Sequence, residues 1–530
     1  MHRRDFLRRG AIAGSAAVAT TNWNIPFVQQ VFELEESTIA DLQRGMHEGR
    51  WTARMITQAY LARIEELDQQ GPALHSILET NPDALAIADE LDRERRAKGP
   101  RGPLHGIPVL LKDNLDTADR MTTTAGSLAL EGSVAAQDST VAKRLREAGA
   151  VLLAKTNLSE WANFRSEHGS SGWSARGGQC RNPYVLDRNP CGSSSGSGAA
   201  TSANLGTVSI GTETDGSIVC PSSSNGLVGL KPTVGLVSRV GIIPISHTQD
   251  GAGPMVRTVT DAAIVLSAIA GADPRDSATS AIAGHAHPNY TKFLDAGGLK
   301  GARIGVARQY FEFHRDVDTV MEEALVSMKR LGAELIDPIV VTNDNALAEA
   351  ELLVLLYEFK RNVNGYLASL GVRAPVKNLA ELINFNEAHR LQEMPYFGQE
   401  LFVKAEAKGP LTSKEYVDAL KKCRKLSREK GIDEVMTKHR LDAIVGPTGG
   451  PAWLTDVING DHIGGGCSTL AAVAGYPHIT VPAGYVRDLP VGLSLFGRAW
   501  SEPVLLRLAF AFEQATKHRH TPKFRPTLDL

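Results

Sequence analysis

Val109-Leu110-Leu111-Lys112-Asp113-Asn114 is an apolar run that stops abruptly at a lysine, and it reads as a buried strand ending where polar chemistry begins. On its C-terminal side, residues 139–148 carry helical periodicity, are stopped by Gly149 and lead into Val151-Leu152-Leu153, a second buried strand. On its N-terminal side, Met55, Ile56, Ala59, Tyr60, Ile64 and Leu67 recur at helical spacing behind Thr52, a residue suited to cap the first turn. The alternation continues through a strand at 303–307, a helix at 320–331 closed by Gly332, and strands at 441–445, 479–481 and 491–496. A last helix starts at Ser501, with Pro503 in its first turn. Strands and helices that alternate in this way predict an α/β chain: a three-layer α/β/α domain around a large mixed β-sheet.

No internal repeat or low-complexity linker interrupts the chain, so residues 20–530 read as a single domain. Within it, residues 343–431 are richer in charge and helical pattern and read as a cap over the sheet. Residues 1–19 read differently. Arg3-Arg4-Asp5-Phe6-Leu7-Arg8-Arg9 is followed by a weakly apolar run that ends in Ala17-Val18-Ala19, the layout of a twin-arginine export signal. The expected location is therefore periplasmic or secreted. Beyond that segment no apolar stretch reaches the length of about 18 residues needed to span a bilayer. Lys and Arg together number 57 against 59 for Asp and Glu, so no overall field selects for nucleic acid or an anionic membrane. The expected partner is a small-molecule or peptide substrate. Five cysteines, an odd count without a CxxC pair, argue against a disulfide framework or a zinc site and read as small buried residues.

Two glycine- and serine-rich segments stand out. Gly211-Thr212-Glu213-Thr214-Asp215-Gly216-Ser217-Ile218 follows the strand-like Val208-Ser209-Ile210, so Ser217 sits just past a glycine where the chain must turn. Such a turn aims several backbone N–H groups at one point, which is how an oxyanion hole is built. Cys191-Gly192-Ser193-Ser194-Ser195-Gly196-Ser197-Gly198 matches the G-x-S-x-G pattern of a nucleophile elbow, with Ser194 as nucleophile. An elbow needs a buried strand before it, and Asp187-Arg188-Asn189-Pro190 is not one. No lysine follows the glycines, so neither segment is a phosphate loop. Both also fit helix N-terminal turns with capping serines.

A serine hydroxyl needs a base, and a lysine with an ordinary pKa of about 10.4 is no base at neutral pH. Lys112 therefore serves only if it is buried, because desolvation disfavours its ammonium form. The competing reading is a solvated Lys112 paired with Asp113. Among histidines, His105 reads as a structural hydrogen-bonder, and the pairs His285/His287 and His518/His520 lack partners at metal-ligand spacing. No metal is expected. Ser427-Arg428-Glu429-Lys430 has the S-x-x-K spacing but lies in a charged run that reads as solvated surface.

Taken together, Leu111-Lys112-Asp113-Asn114, the Cys191 to Ser197 segment, Thr214-Asp215-Gly216-Ser217-Ile218 and Gly226-Leu227-Val228-Gly229-Leu230-Lys231-Pro232-Thr233 resemble the amidase signature family. The resemblance implies that family's α/β/α fold, no cofactor, and a Ser-cisSer-Lys triad. Ser217 would be the nucleophile, Ser193 the bridging serine behind a cis peptide, and Lys112 the base. Backbone N–H groups of Thr214, Asp215, Gly216 and Ser217 would form the oxyanion hole. Cys191 and Ser195 stand where glycines are usual, Asp215 stands where glycine is common, and Val219 replaces an arginine. These departures resemble the peptide amidase branch, as do Thr156-Asn157-Leu158-Ser159-Glu160-Trp161-Ala162-Asn163-Phe164 and Gly172-Trp173-Ser174-Ala175-Arg176-Gly177-Gly178. That branch implies hydrolysis of C-terminal peptide amides, with Trp161, Ala162, Asn163 and Trp173 as pocket residues. The alternatives are a broader aliphatic, aryl or fatty-acid amidase, an amidotransferase component fed by a partner or, in a different class, a periplasmic peptide-binding protein.

Overall fold

In the computed structural model, which describes residues 33–341, 344–371 and 374–529, eleven strands pair into one mixed sheet. In chain order they are β1 (Ile77–Thr80), β2 (Pro108–Lys112), β3 (Val151–Thr156), β4 (Val208–Glu213), β5 (Val228–Lys231) and β6 (Gly251–Val256). They continue with β7 (Arg303–Ala307), β8 (Glu334–Ile339), β9 (Ala443–Pro447), β10 (His478–Val486) and β11 (Leu489–Phe496). Across the sheet the order is β1-β3-β2-β4-β6-β5-β10-β11-β9-β7-β8. Helices cover the sheet and complete the α/β/α layering that the alternation predicts. The chain divides into two compact units, residues 1–35, described from residue 33, and residues 36–530, which hold every element named here. The export-signal reading of residues 1–19 falls outside the described residues. Among the described residues no helix is long and apolar enough to cross a membrane.

The central strands explain themselves by burial. β2 runs parallel to both β3 and β4, with Lys112 opposite Thr156 and Leu111 opposite Ile210. A strand between two parallel neighbours is covered on both faces, and Val109, Leu110 and Leu111 are fully buried. The carboxyl ends of β2 and β4 therefore emerge side by side, the edge of an α/β sheet where binding sites form.

The helices follow their caps. Thr52 accepts from the Met55 N–H at the start of the helix Ala53–Ile64, and Ser139 accepts from the Ala142 N–H at the start of Thr140–Glu147. Ile56, Tyr60 and Ile64 are buried, but Met55 is half exposed, so the apolar stripe of that helix is narrower than the spacing suggests. The helix expected from residue 320 begins earlier, at Arg315, where Asp316 and Asp318 favour its N-terminal end and Val317 is buried. Residues 344–431 are mainly helical. Phe359, Val363, Leu379 and Phe402 pack against Leu130, Trp161 and Ile245, while Val354, Tyr357 and Tyr416 pack against Ile444, Leu470 and Ala471.

The cysteines overturn the sequence expectation. Cys191 and Cys220 form a disulfide across 29 residues, while Cys180 and Cys423 are small buried residues as expected. Counting and spacing detect frameworks of several bridges, whereas this bridge joins a loop to the short helix Val219–Ser224, which are separated in sequence by the helix Ser195–Ser202 and by β4 and meet only in the folded chain.

Candidate active site

Lys112 ends β2 with no exposed surface. Its Nζ donates to Ser193 Oγ at 2.7 Å, to Thr212 Oγ1 at 2.9 Å and to the Thr212 carbonyl at 3.3 Å. Burial lowers its pKa to about 7, and the charges of Asp250 and Glu213 oppose the shift without cancelling it. Near neutral pH a large fraction of this lysine is thus a free amine. The solvated Lys112–Asp113 pair is ruled out. Asp113 accepts instead from Thr124 and lies 3.7 Å from the Arg176 guanidinium, as expected where successive side chains leave opposite sides of the backbone.

Ser193 approaches Lys112 through an unusual stretch of loop. Cys191 has φ of +57° and the Gly192–Ser193 peptide is cis. A Cβ on Gly192 would collide with Ser159 Oγ, so the loop can lie this close to its neighbour only with glycine there. The Ser193 carbonyl accepts from the Ser159 N–H at 3.0 Å, and the Ser194 N–H donates to the Ser217 carbonyl at 3.2 Å. That last bond stitches the two serine segments together. Ser194, the nucleophile of the rival elbow reading, turns into the sheet: its Oγ donates to the Thr212 carbonyl at 3.0 Å and accepts from the Thr212 N–H at 3.2 Å. It is a structural hydroxyl.

Ser217 follows β4 and the left-handed Gly216, whose φ is +76°. The turn is held from behind. Glu213 Oε2 accepts from the N–H groups of Ile218 at 2.7 Å and Val219 at 3.0 Å. Thr214 Oγ1 donates to Asp250 at 2.6 Å, and Asp215 accepts from Thr469 Oγ1 at 2.7 Å. Among the described residues the N–H groups of Asp215, Gly216 and Ser217 have no protein acceptor. Thr214, Asp215, Gly216 and Ser217 line one cavity of about 390 Å³ together with Ser193. Unengaged N–H groups beside a serine are the arrangement that stabilises an oxyanion.

The walls divide the pocket residues expected from the sequence. Ala162 and Asn163 line the cavity, joined by Phe164 and Ser171. Trp161 and Trp173 do not; they pack behind the wall. Trp161 meets Phe402 edge-on with ring centroids 6.0 Å apart, and Trp173 meets Phe397 at 5.1 Å under the Arg165 guanidinium. The reason is local, because Trp161, Ala162 and Asn163 are consecutive left-handed residues that send neighbouring side chains in different directions.

Several contributors escape sequence reasoning. Thr212 anchors both Lys112 and Asn114, whose Nδ2 donates to Thr212 Oγ1 at 2.9 Å, although Thr212 lies inside a segment already singled out. Ile245 and Leu355 come from segments without any chemical signature. Thr448, Trp453 and Ile463 come from a loop whose only signal was its glycines, Gly464-Gly465-Gly466 among them, and Thr469 comes from the first turn of the helix Ser468–Ala474 that follows it. The cavity rim also contains the Cys191–Cys220 disulfide.

Other candidates fall away from the site. His105 Nε2 shares a hydrogen bond with the Leu91 carbonyl at 2.9 Å, a structural role. Among the described residues no group of His, Cys, Asp or Glu has the geometry to hold a metal ion. Ser427 is buried and donates to the Cys423 carbonyl, so only part of its charged run is solvated.

A family model described as Amidase matches residues 55–506. The chain is 52% identical to the peptide amidase from Stenotrophomonas maltophilia, covering 93% of this chain and 99% of that one with a TM-score of 0.89. It is 45% identical to a probable amidase of Arabidopsis thaliana over 94% of this chain and 93% of the relative. It is 37% identical to an amidase family protein from Bacillus anthracis, over 93% of each chain and with a TM-score of 0.83. With a family model matched over most of its length and relatives this similar along almost the whole chain, the protein belongs to the amidase signature family and is an amide-hydrolysing enzyme.

Proposed function

We propose that the enzyme removes ammonia from C-terminal peptide amides through an acyl-enzyme on Ser217, with Ser193 as proton relay and Lys112 as base. The observation that carries this reading is the 2.7 Å hydrogen bond between a buried Lys112 amine and Ser193 Oγ, on the cavity that Ser217 shares. Neutral Lys112 takes the Ser193 proton while Ser193 Oγ takes the Ser217 proton, since a hydroxyl both donates and accepts. Ser217 Oγ attacks the carboxamide carbon, and the oxyanion faces the N–H groups of residues 214–217. The proton returns through Ser193 to the –NH2 group, and ammonia leaves. Water then attacks the ester by the same relay, releases the carboxylate and restores Ser217.

The cavity supports a neutral terminal amide as substrate. No lysine, arginine or histidine lines it among the described residues, and Asp215 is its one carboxylate. A free C-terminal carboxylate finds no cation there, while a carboxamide needs none. The 52% identity to a peptide amidase points the same way. The test uses one peptide in amidated and one-residue-extended forms beside a long-chain fatty amide, with ammonia and fragments both quantified. Ammonia from the amidated peptide and no internal cleavage is expected. Cleavage of the extended peptide, or preference for the fatty amide, would reject this specificity.

We further propose that the enzyme works outside the cytoplasm, as the first 19 residues suggest. A disulfide on the cavity rim supports an oxidising compartment. Replacing Arg3 and Arg4 by lysine should leave a full-length precursor in the cytoplasm, and unchanged activity outside it would reject export by this route.

A further inference from the structure

We infer that the Cys191–Cys220 disulfide positions the two catalytic serine segments against each other, and that reducing it lowers turnover while the enzyme stays folded. The bridge is placed for this. Cys191 lies two residues before Ser193, and Cys220 lies three residues after Ser217, so the bond closes a bracket around both hydroxyls.

Apart from the disulfide, the segment that carries Ser193 is held by hydrogen bonds alone, among them those between Ser194 Oγ and Thr212 and from Asn225 Nδ2 to the Pro190 carbonyl. Residues 180–194 form no helix or strand, and the left-handed Cys191 is a conformation that non-glycine residues hold only when their surroundings impose it. One backbone hydrogen bond, from the Ser194 N–H to the Ser217 carbonyl, joins this loop to the Ser217 turn. On the far side the loop is tied to other loops, through Asn189, which accepts from the Cys191 N–H and donates to the Ser171 carbonyl. The Ser217 side is firmer, because Glu213 grips the two residues after it and Cys220 already sits in the helix Val219–Ser224. The disulfide thus adds the one covalent tie between a serine carried by a loop and a serine carried by a turn that leads into a helix. Both cysteines line the cavity and Cys220 is half-buried, so a small reductant reaches the bond through the substrate's own opening.

The chemistry balances simply. A dithiol gives two electrons and two protons, the Cys191–Cys220 bond becomes two thiols, and the dithiol closes to its own cyclic disulfide. The loop then keeps its hydrogen bonds but loses its covalent stop. A displacement of an ångström between relay and nucleophile costs up to about a hundredfold in rate.

The inference rests on assigning Ser193 and Ser217 to catalysis, and its test can fail while that assignment stands. The full-length enzyme is treated with a dithiol without denaturant, thiols are counted before and after, and intrinsic fluorescence monitors the fold. Two additional thiols per chain, a fall in kcat of about tenfold or more with KM within about twofold, and recovery on reoxidation are expected. Cys220→Ser should show the same low kcat and no response to reductant, while Cys423→Ser should respond as the unmodified enzyme does. The inference is overturned if the two extra thiols appear in folded enzyme with kcat unchanged, if the change falls on KM alone, or if no thiols are gained. A Cys220→Ser variant that does not fold leaves the reduction experiment on the unmodified chain decisive, whereas an active Ser217→Ala would overturn the proposed function itself.

Discussion

At the floor of the cavity Ser193, and behind it Lys112, have no exposed surface and are held by side-chain hydrogen bonds of 2.7 and 2.9 Å. On the outer loop, Ile463 and Ile458 are 55% and 84% exposed. The floor is made of the ends of β2 and β4, the turn after β4 and the loop that carries Ser193, and its polar groups are fixed by burial and by partners. The wall is made of loop and helix side chains gathered from distant segments. A sealed floor tunes one proton-transfer system, because taking a lysine out of water is what makes it a base. An open wall sets which acyl group enters, and it tolerates change. Substitutions should therefore divide by location, with kcat governed by the floor and KM by the wall.

The largest effect is expected at Ser217. Ser217→Ala should abolish turnover and acyl-enzyme formation with the melting temperature little changed, because only a hydroxyl is lost. Acyl-enzyme detected by mass spectrometry in that variant would refute the assignment. Lys112→Ala follows, with kcat lowered by about a thousandfold or more, and Ser193→Ala somewhat less severely because water can bridge the gap. A Ser193→Ala rate below that of Ser217→Ala would contradict a relay.

A smaller effect on the floor tests how tightly the amine must be held. Thr212 Oγ1 accepts from both Lys112 and Asn114, so Thr212→Val should cost about tenfold in kcat by loosening the amine. It also removes an acceptor that favours the ammonium form, so the midpoint of the pH–rate profile should move down by up to about one unit. An upward shift would show that Thr212 disfavours the charge. The smallest effect belongs to the wall. Ile463→Ser should leave kcat unchanged and alter KM by no more than about fivefold, because the side chain is half exposed before binding. A large fall in kcat there would erase the distinction between floor and wall.

The same division governs what the sequence makes legible on its own. β2 and β3 can be read because strands buried on both faces are nearly continuous apolar runs, and Lys112 stands out as the polar residue ending one of them. The two serine segments can be read because their glycines and serines are consecutive. Burial of Lys112 is required by the chemistry, but no local pattern distinguishes it from a solvated lysine. Ile245, Leu355 and Trp453 carry no signal because only the tertiary fold gathers them. Trp161 and Trp173 are expected in the pocket on the strength of short segments, yet both pack behind its wall, Trp161 at the start of a left-handed turn. The disulfide escapes sequence reading because composition reports how many cysteines exist and not which loops meet.

The mechanism stands on a buried, neutral Lys112 that serves as base near pH 7, and kcat/KM measured from pH 5 to pH 9 decides it. Since kcat/KM follows the free enzyme, and the lysine must lose its proton to act, activity should be low in acid, rise through a single midpoint near Lys112's pKa of about 7, and then level off. A profile already flat from pH 5, or one that peaks in acid and falls above it, would contradict the lysine base and point to a carboxylate instead.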